Sequence, residues 1–395
     1  MSFDLPPISF PKIRTAKTSV TLGNGVVVDA TERSIAGLDD PVYEKQPSVW
    51  EAVPRGLGVY ALNGEPVANI VGLRKFGYLG SPYGSVADVK TVVLVDKENG
   101  ECAHVAAFVA SCGTPYWIVG SKNVHCLFPH GDFGTAESTY AGLERYKYAI
   151  KIARVWARMI DTFDSRGFHN YLAENRYTAC GEAILADSEH IVAYDHKDII
   201  KFYALTALRP SAEGLTACGP LDAQVVFQRF GLPSATFSST YNYPSDEYTG
   251  ALNTVARREN SEGVVVYGSD ATGRVVAMWK EKSYPYVMER VVREAVISGQ
   301  SQKHIRHRVT TRLADLSVEL RAYFTDWELH RYPELLTFAV WLRMRGYIPT
   351  RASWDIQSRW LTLQAEFQAA PAEEKAAAAA VRDGATDASD EKEEE

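Results

Sequence analysis

The chain has 395 residues, 46% of them hydrophobic, enough for a substantial core and for two domains. Five scattered cysteines with no CxxC pair argue against a structural zinc or a disulfide framework, and neither a membrane-length apolar run nor a signal-like leader is seen, so the sequence reads as intracellular, cytoplasmic or nuclear. The net charge is −7, but residues 371–395 hold nine acids against three bases and carry −6 of it, leaving −1 for the other 370 residues, which leaves room for a basic cleft suited to nucleic acid.

Residues 1–50 read as a loosely structured lead-in with a few short strands. From Trp50 to about Phe128, apolar runs alternate with Gly- and Asn-containing turns, a mainly antiparallel β pattern. Within it the run KTVVLVD leads into Lys97-Glu98-Asn99-Gly100. Asn-Gly is a strong hairpin signal, so CAHVAAFV is expected to be the return strand. Residues 136–166 carry Tyr140, Leu143, Tyr146, Ala149, Ile150, Ala153 and Trp156 at helical spacing. Strands return at TACGEAI, HIVAYD, KFYALTAL, GVVVYG and VVAMWK. From Tyr286 to about residue 368 the pattern is helical, and 371–395 is Ala-rich and then acidic. The expected architecture is α+β. Antiparallel sheets flanked by helices form a core over 1–297, a small all-helical domain covers 298–370, and 371–395 is expected to be a disordered acidic tail.

Several residue groups carry chemical potential, each weakly on its own. Lys97 sits at a strand end beside a tight turn, where a neutral amine can attack phosphorus. The ordinary alternative is a surface lysine. Glu262-Gly263 opens a strand with an acid suited to Mg²⁺ or its waters. Strand alternation puts Lys280 and Lys282 on one face, a potential phosphate site. Ser121-Lys122 ends a strand, and Gly181-Glu182 places an acid in another. What is specific is the order: Lys-x-Asn-Gly, Ser-Lys, Gly-Glu, Glu-Gly-Val, Lys-x-Lys.

In that order these motifs resemble the covalent nucleotidyltransferases, and more narrowly the ligase domain of fungal-type tRNA ligases, kin of the T4 RNA ligase 1 group. The resemblance spans roughly residues 50–300. Arg55-Gly56-Leu57 is similar to the family's Arg-Gly-Leu strand, and Gly72-Leu73-Arg74-Lys75-Phe76 to a segment that usually continues Phe-Asn, where this chain has Gly77-Tyr78. Lys280 through Glu294 is similar to the pattern Lys-x-Lys…Pro-Tyr-x-Met-x-Arg-x-x-Arg-Glu. The resemblance implies a nucleotidyltransferase core and an RNA ligase using ATP and Mg²⁺ or Mn²⁺. Lys97 is then the nucleophile. Glu182 holds ribose or a metal water, Glu262 binds the metal or orients Lys97, and Lys280 and Lys282 serve the α-phosphate. Arg55, Lys75, Asn99 and Lys122 serve the rest of the nucleotide, and Tyr203 stacks on adenine. His190, Arg290 and Arg293 would read a 2′-phosphate on the RNA 3′ end, the two arginines sharing a helix face at i and i+3. Partners would be RNA, as tRNA halves or broken strands, and separate end-healing enzymes, since no GxxxxGK[ST] loop or paired His-x-Thr motif appears. A monomer is expected. The alternatives are a general RNA-repair ligase without a 2′-phosphate requirement and an mRNA guanylyltransferase.

Overall fold

The computed structural model describes residues 12–37, 40–81, 85–208, 215–298, 300, 302–314, 318–347, 356 and 358–384. The fold is α+β, built on antiparallel sheets. The chain divides into two compact units: Met1–Leu185, His196–Tyr248 and Val264–Lys280 form one, and Ala186–Asp195, Thr249–Gly263 and Glu281–Glu395 the other.

In chain order the strands are β1 (Ile13–Thr21), β2 (Val27–Ile35), β3 (Leu57–Leu62), β4 (Glu65–Ile70), β5 (Thr91–Asp96), β6 (Glu101–Val109), β7 (Pro115–Ser121), β8 (His125–Pro129), β9 (Thr178–Ile184), β10 (Ile199–Leu208), β11 (Leu215–Ala217), β12 (Phe237–Asn242), β13 (Gly263–Ser269) and β14 (Val275–Lys282). They form a four-stranded sheet β1-β2-β3-β4, a six-stranded sheet β11-β10-β9-β6-β7-β8 and a second four-stranded sheet β12-β5-β13-β14.

The six-stranded sheet is buried on both faces, and strand alternation shows how. Ala103, Val105, Ala107, Trp117 and Val119 face the helices Lys147–Met159, Ser165–Asn175 and Pro220–Phe230, packing with Trp156, Phe168 and Phe227. The intervening Ala106, Phe108, Tyr116 and Ile118 pack on Tyr60, Leu62 and Ile70 of the N-terminal sheet. Farther along, Cys180 of β9 and Ala204 of β10 meet Val93, Val95, Val265 and Tyr267 of β5 and β13. The helical stretch read over 136–166 is broken into helix Phe133–Tyr140, a 3₁₀ turn at Glu144–Tyr146 and helix Lys147–Met159.

Three expectations change. β5 and β6 are not a hairpin: they lie in different sheets, and Lys97–Gly100 is the crossover between them. Neither Asn99 nor Gly100 has positive φ. Glycine is needed at 100 because a Cβ there would lie 2.4 Å from the Ala183 carbonyl oxygen of β9. Second, HIVAYD forms no strand; it is a loop whose Ile191 and Val192 are buried with Met288, Val292 and Phe338 in the helical unit. That unit therefore begins before residue 298, taking in helix Tyr284–Ile297. Third, Ala372–Gly384 is a helix, not disordered. Alanine favours helix, Ala378 is buried, and Glu374 binds Trp341 Nε1 (3.1 Å) and Arg345 Nη2 (2.8 Å). Residues 385–395 lie outside the described residues.

Candidate active site

A cavity of about 400 Å³ opens in the first unit, lined by Arg55, Phe76, Lys97, Glu101, Cys102, Lys122, Tyr148, Glu182, Tyr203 and Tyr267, among others. Its volume lies within the range of small-molecule sites, roughly 300–1,000 Å³. The crossover at Lys97–Gly100 puts the lysine where two sheets part. It is tied down on both sides: Gly100 N–H donates to Glu182 Oε1 (3.1 Å), and Lys201 Nζ donates to Glu98 Oε1 (3.0 Å).

Arg55 and Lys122 come from distant segments. Gly56 N–H donates to the Lys122 carbonyl (2.7 Å) and Gly72 N–H to the Arg55 carbonyl (2.7 Å), which binds three loops into one wall. The Arg55 guanidinium lies 5.7 Å from the Phe76 ring centroid, and its buried Nε has no hydrogen-bond partner among the described residues. Tyr203 is aimed by a register irregularity: β10 pairs with β9 at Phe202 and again at Ala204, with a shift between them. A bulge re-aims a side chain, and here Phe202 faces the helices while Tyr203 and Ala204 face the other sheet. Burial pushes the Tyr203 phenol well above its usual value, the Cys102 thiol up to about 11 and the Glu101 carboxyl upward. Three cationic side chains, four carboxylates (Asp96, Glu98, Glu101 and Glu182) and several aromatic rings thus surround one space, able to meet the phosphates, ribose and base of a nucleotide.

The other expected residues stand elsewhere. Asn99 is buried in the crossover. Lys75 is also buried, its carbonyl accepting from Trp50 Nε1 (2.5 Å), and it lines a smaller cavity with Trp50, Leu73 and Met278. Lys280 Nζ sits 4.5 Å from the Tyr78 ring centroid. In the second unit, Lys282 Nζ pairs with Glu262 Oε1 at 2.9 Å, both side chains buried, and lies 4.8 Å from the Tyr286 ring. Burial and the Glu262 charge push the Tyr286 phenol upward, while Arg290 and Arg293 pull it down. Arg290 is exposed and Arg293 is buried. Arg293 Nη2 donates to Glu294 Oε1 (3.0 Å), whereas its Nε and Nη1 have no hydrogen-bond partner among the described residues. His190 is half-buried in the loop before Ile191.

Phe76, Glu101, Cys102, Tyr148 and Tyr267 line the cavity without having been singled out in the sequence. Their signal was position, since Glu101 and Cys102 directly follow the Lys-x-Asn-Gly motif.

Residues 7–293 match DUF7920, a domain of unknown function. The chain belongs to this family. No curated protein matches the DUF7920 chain. Among solved structures it is similar to an archaeal ATP-dependent RNA ligase, form 2, at 15% identity and a TM-score of 0.46, covering 82% of this chain and 73% of that one. It is also similar to an RNA ligase variant from Naegleria gruberi with ATP and Mn, at 10% identity and a TM-score of 0.33, covering 70% of this chain and 96% of that one. These likenesses are loose.

Proposed function

We propose that the chain is an ATP-dependent RNA ligase that joins an RNA 5′-phosphate to a 3′-hydroxyl through AMP carried on Lys97. One observation carries this: Lys97, Arg55, Lys122, Glu182 and Tyr203, scattered through the sequence, line a single nucleotide-sized cavity. Lys97 Nζ, when neutral, attacks the α-phosphorus of ATP, forming an N–P bond as pyrophosphate leaves. AMP then passes to the RNA 5′-phosphate, and the 3′-hydroxyl displaces it. Each step is in-line displacement at phosphorus, so catalysis is positioning and charge neutralisation. Arg55 and Lys122 are assigned to phosphates and ribose, and Tyr203 to the base. Glu182, fixed by Gly100 N–H, is assigned to ribose or a cation. Lys75 and Lys280 are assigned by motif alone.

For Mg²⁺ or Mn²⁺, no cluster of three or more His, Cys, Asp or Glu ligands occurs among the described residues. That fits a cation held by one carboxylate, here Glu182, together with substrate phosphates. Bound there, the ion would neutralise phosphate charge. Glu262, already matched by Lys282, fits a positioning role better than direct ligation. We further assign Arg293, with Arg290 and His190, to a 2′-phosphate on the RNA 3′ end. The buried, incompletely bonded Arg293 fork supports that assignment.

Incubation with labelled ATP and Mg²⁺ should leave AMP on Lys97, and Lys97→Ala should abolish it. An adduct from GTP instead would favour guanylyl transfer, and no adduct from either nucleotide would overturn the proposal. Sealing of RNA with and without the 2′-phosphate then separates the tRNA-splicing reading from general repair.

A further inference from the structure

A line of buried polar side chains runs from the N-terminal sheet to the cavity floor. Glu32 Oε1 accepts from Tyr60 Oη (2.8 Å) and from the His125 backbone N–H (2.9 Å), and lies 3.3 Å from His125 Nδ1. His125 Nε2 is 3.3 Å from His104 Nδ1, and His104 Nε2 is 3.6 Å from Cys102 Sγ. Cys102 Sγ is 3.9 Å from Tyr203 Oη. Glu32, His104 and His125 are each about 1% exposed.

The proton positions along this line follow from its fixed acceptors. A backbone carbonyl only accepts, and Ser121 O lies 3.3 Å from His104 Nδ1, so that nitrogen carries a proton. Tyr60 Oη gives its own proton to Glu32 and lies 3.0 Å from His125 Nδ1, so its oxygen and the Glu32 carboxylate at 3.3 Å both accept there, which calls for a proton on His125 Nδ1. Both rings neutral, the single His104 Nδ1–H is shared between Ser121 O and His125 Nε2, each at 3.3 Å, and His104 Nε2 accepts from the Cys102 thiol. Tyr203 then donates to Cys102 Sγ. Every donor points toward Glu32, whose charge is answered by Arg145 Nη1 at 3.1 Å. Burial holds His125 below its ordinary value, in keeping with a neutral ring. The His104 ring is also clamped: a Cβ at Gly56 would lie 2.3 Å from it and one at Gly72 2.2 Å.

We propose that Glu32, His125 and His104 form a positioning relay that fixes Cys102 and, through it, the orientation of Tyr203 in the nucleotide cavity. His104 is the positioning residue, acting through Cys102 rather than on the substrate. The consequence for ATP rests on the adenylation reading; the proton arrangement does not.

The first test is nitrogen NMR of the imidazoles in the wild-type protein at neutral pH. Both His104 and His125 should be the Nδ1–H tautomer, and a ring found as Nε2–H or doubly protonated overturns the relay. The second compares two substitutions at one site. His104→Gln places an amide near the former Nε2 and His104→Asn one near Nδ1. The Asn variant should raise the KM for ATP in adduct formation about fivefold, the worth of one hydrogen bond, with kcat little changed. The Gln variant should recover most of that loss even if both melt earlier than wild type. Equal KM values for the two variants mean that the ring merely fills space, and the proposal falls. If wild-type protein forms no adduct, the ligase reading fails, and the tautomers alone decide the relay.

Discussion

The two units place their charges differently. In the first, the buried Glu32 meets Arg145 and a line of imidazoles, and the cavity gathers Arg55, Lys97 and Lys122 with Asp96, Glu98, Glu101 and Glu182 on one lining. In the second, charges are matched internally: Glu262 with Lys282, Glu289 with Arg331, Arg293 with Glu294. Lining cations suit a phosphate-bearing ligand, while internal pairs hold a helix in place. Arg293 departs from the pattern in its own unit, because only part of its fork is used.

The sharpest way to break this contrast is at the Glu262–Lys282 pair. Lys282→Met leaves a buried carboxylate without its partner and should cost roughly 3–5 kcal/mol in denaturant unfolding. Glu262→Gln combined with Lys282→Met should cost clearly less, since no charge is stranded. Arg145→Ala takes a cation from the fully buried Glu32, but its guanidinium is 36% exposed and Glu32 keeps its bonds from Tyr60 and His125, so the cost should be smaller, roughly 1–3 kcal/mol. Should the double variant prove as unstable as the single, the pair is not acting as matched charges. Next in size is Gly100→Ala, which drives a methyl into the Ala183 carbonyl and should cost roughly 1–3 kcal/mol. Adduct formation should fall further than stability does, because the displaced crossover carries Lys97.

Arg293→Ala sharpens the same comparison from the helical side. It should reduce sealing of 2′-phosphate ends about tenfold, the loss of a charge-assisted hydrogen bond, while leaving the Lys97 adduct intact. A parallel fall in both, measured on one preparation, would assign the arginine to helix stability instead.

The smallest expected effect is on pH dependence, where the units differ in sign. Burial holds His125, His130 and His169 below the ordinary value of 6.5. The unfolded chain therefore binds their protons first, and their contribution, present above that value, is lost as pH falls through it. Glu289 is pushed up to about 7 by burial, above its unfolded value, so its contribution is present at low pH and lost as pH rises through about 7. Glu101, also raised by burial, opposes the histidines within the first unit, so the local reading is best taken at β8, which carries His125. Between pH 7.5 and 5.5, amide exchange corrected for intrinsic rates should show protection falling at β8 and rising in helix Tyr284–Ile297. Equal trends in both places would show that these groups do not govern local stability.

The sequence made the α+β class legible, because strand alternation and helical spacing are local signals. It also made Lys97, Arg55, Lys122, Glu182 and Tyr203 worth naming, through motif order rather than any single residue. It misled at Asn99-Gly100: a dipeptide that favours a tight hairpin serves here as a crossover, and the reason for the glycine lies in a strand more than eighty positions away. Lys75 carried a motif signal yet faces another cavity, since a spacing pattern does not say which side of a loop the side chain takes. Glu32, His104 and His125 were invisible for a related reason. Each sits singly in its own strand, and only the stacking of two sheets makes them neighbours. At 372–384 alanine propensity favours the observed helix, while the acids that follow it resemble a solvated tail, so composition alone points both ways.

The clamp around His104 has a consequence for how such a chain can drift over generations. Gly72 has no positive backbone angle that demands glycine; it is held small by the imidazole, 2.2 Å from where a Cβ would lie, and by the Arg55 carbonyl oxygen at 2.9 Å. A lineage that traded His104 for a smaller residue would relieve only part of the crowding at 72, since the Arg55 carbonyl oxygen would still lie 2.9 Å from a Cβ there, whereas a change at 72 alone would press on both the ring and that carbonyl. Gly56, with φ of 62°, would keep its preference for glycine in either case. The order of substitution is thereby constrained: both the histidine and the Arg55 backbone must yield before position 72 can vary, and descendants should keep Gly72 even where the histidine has changed.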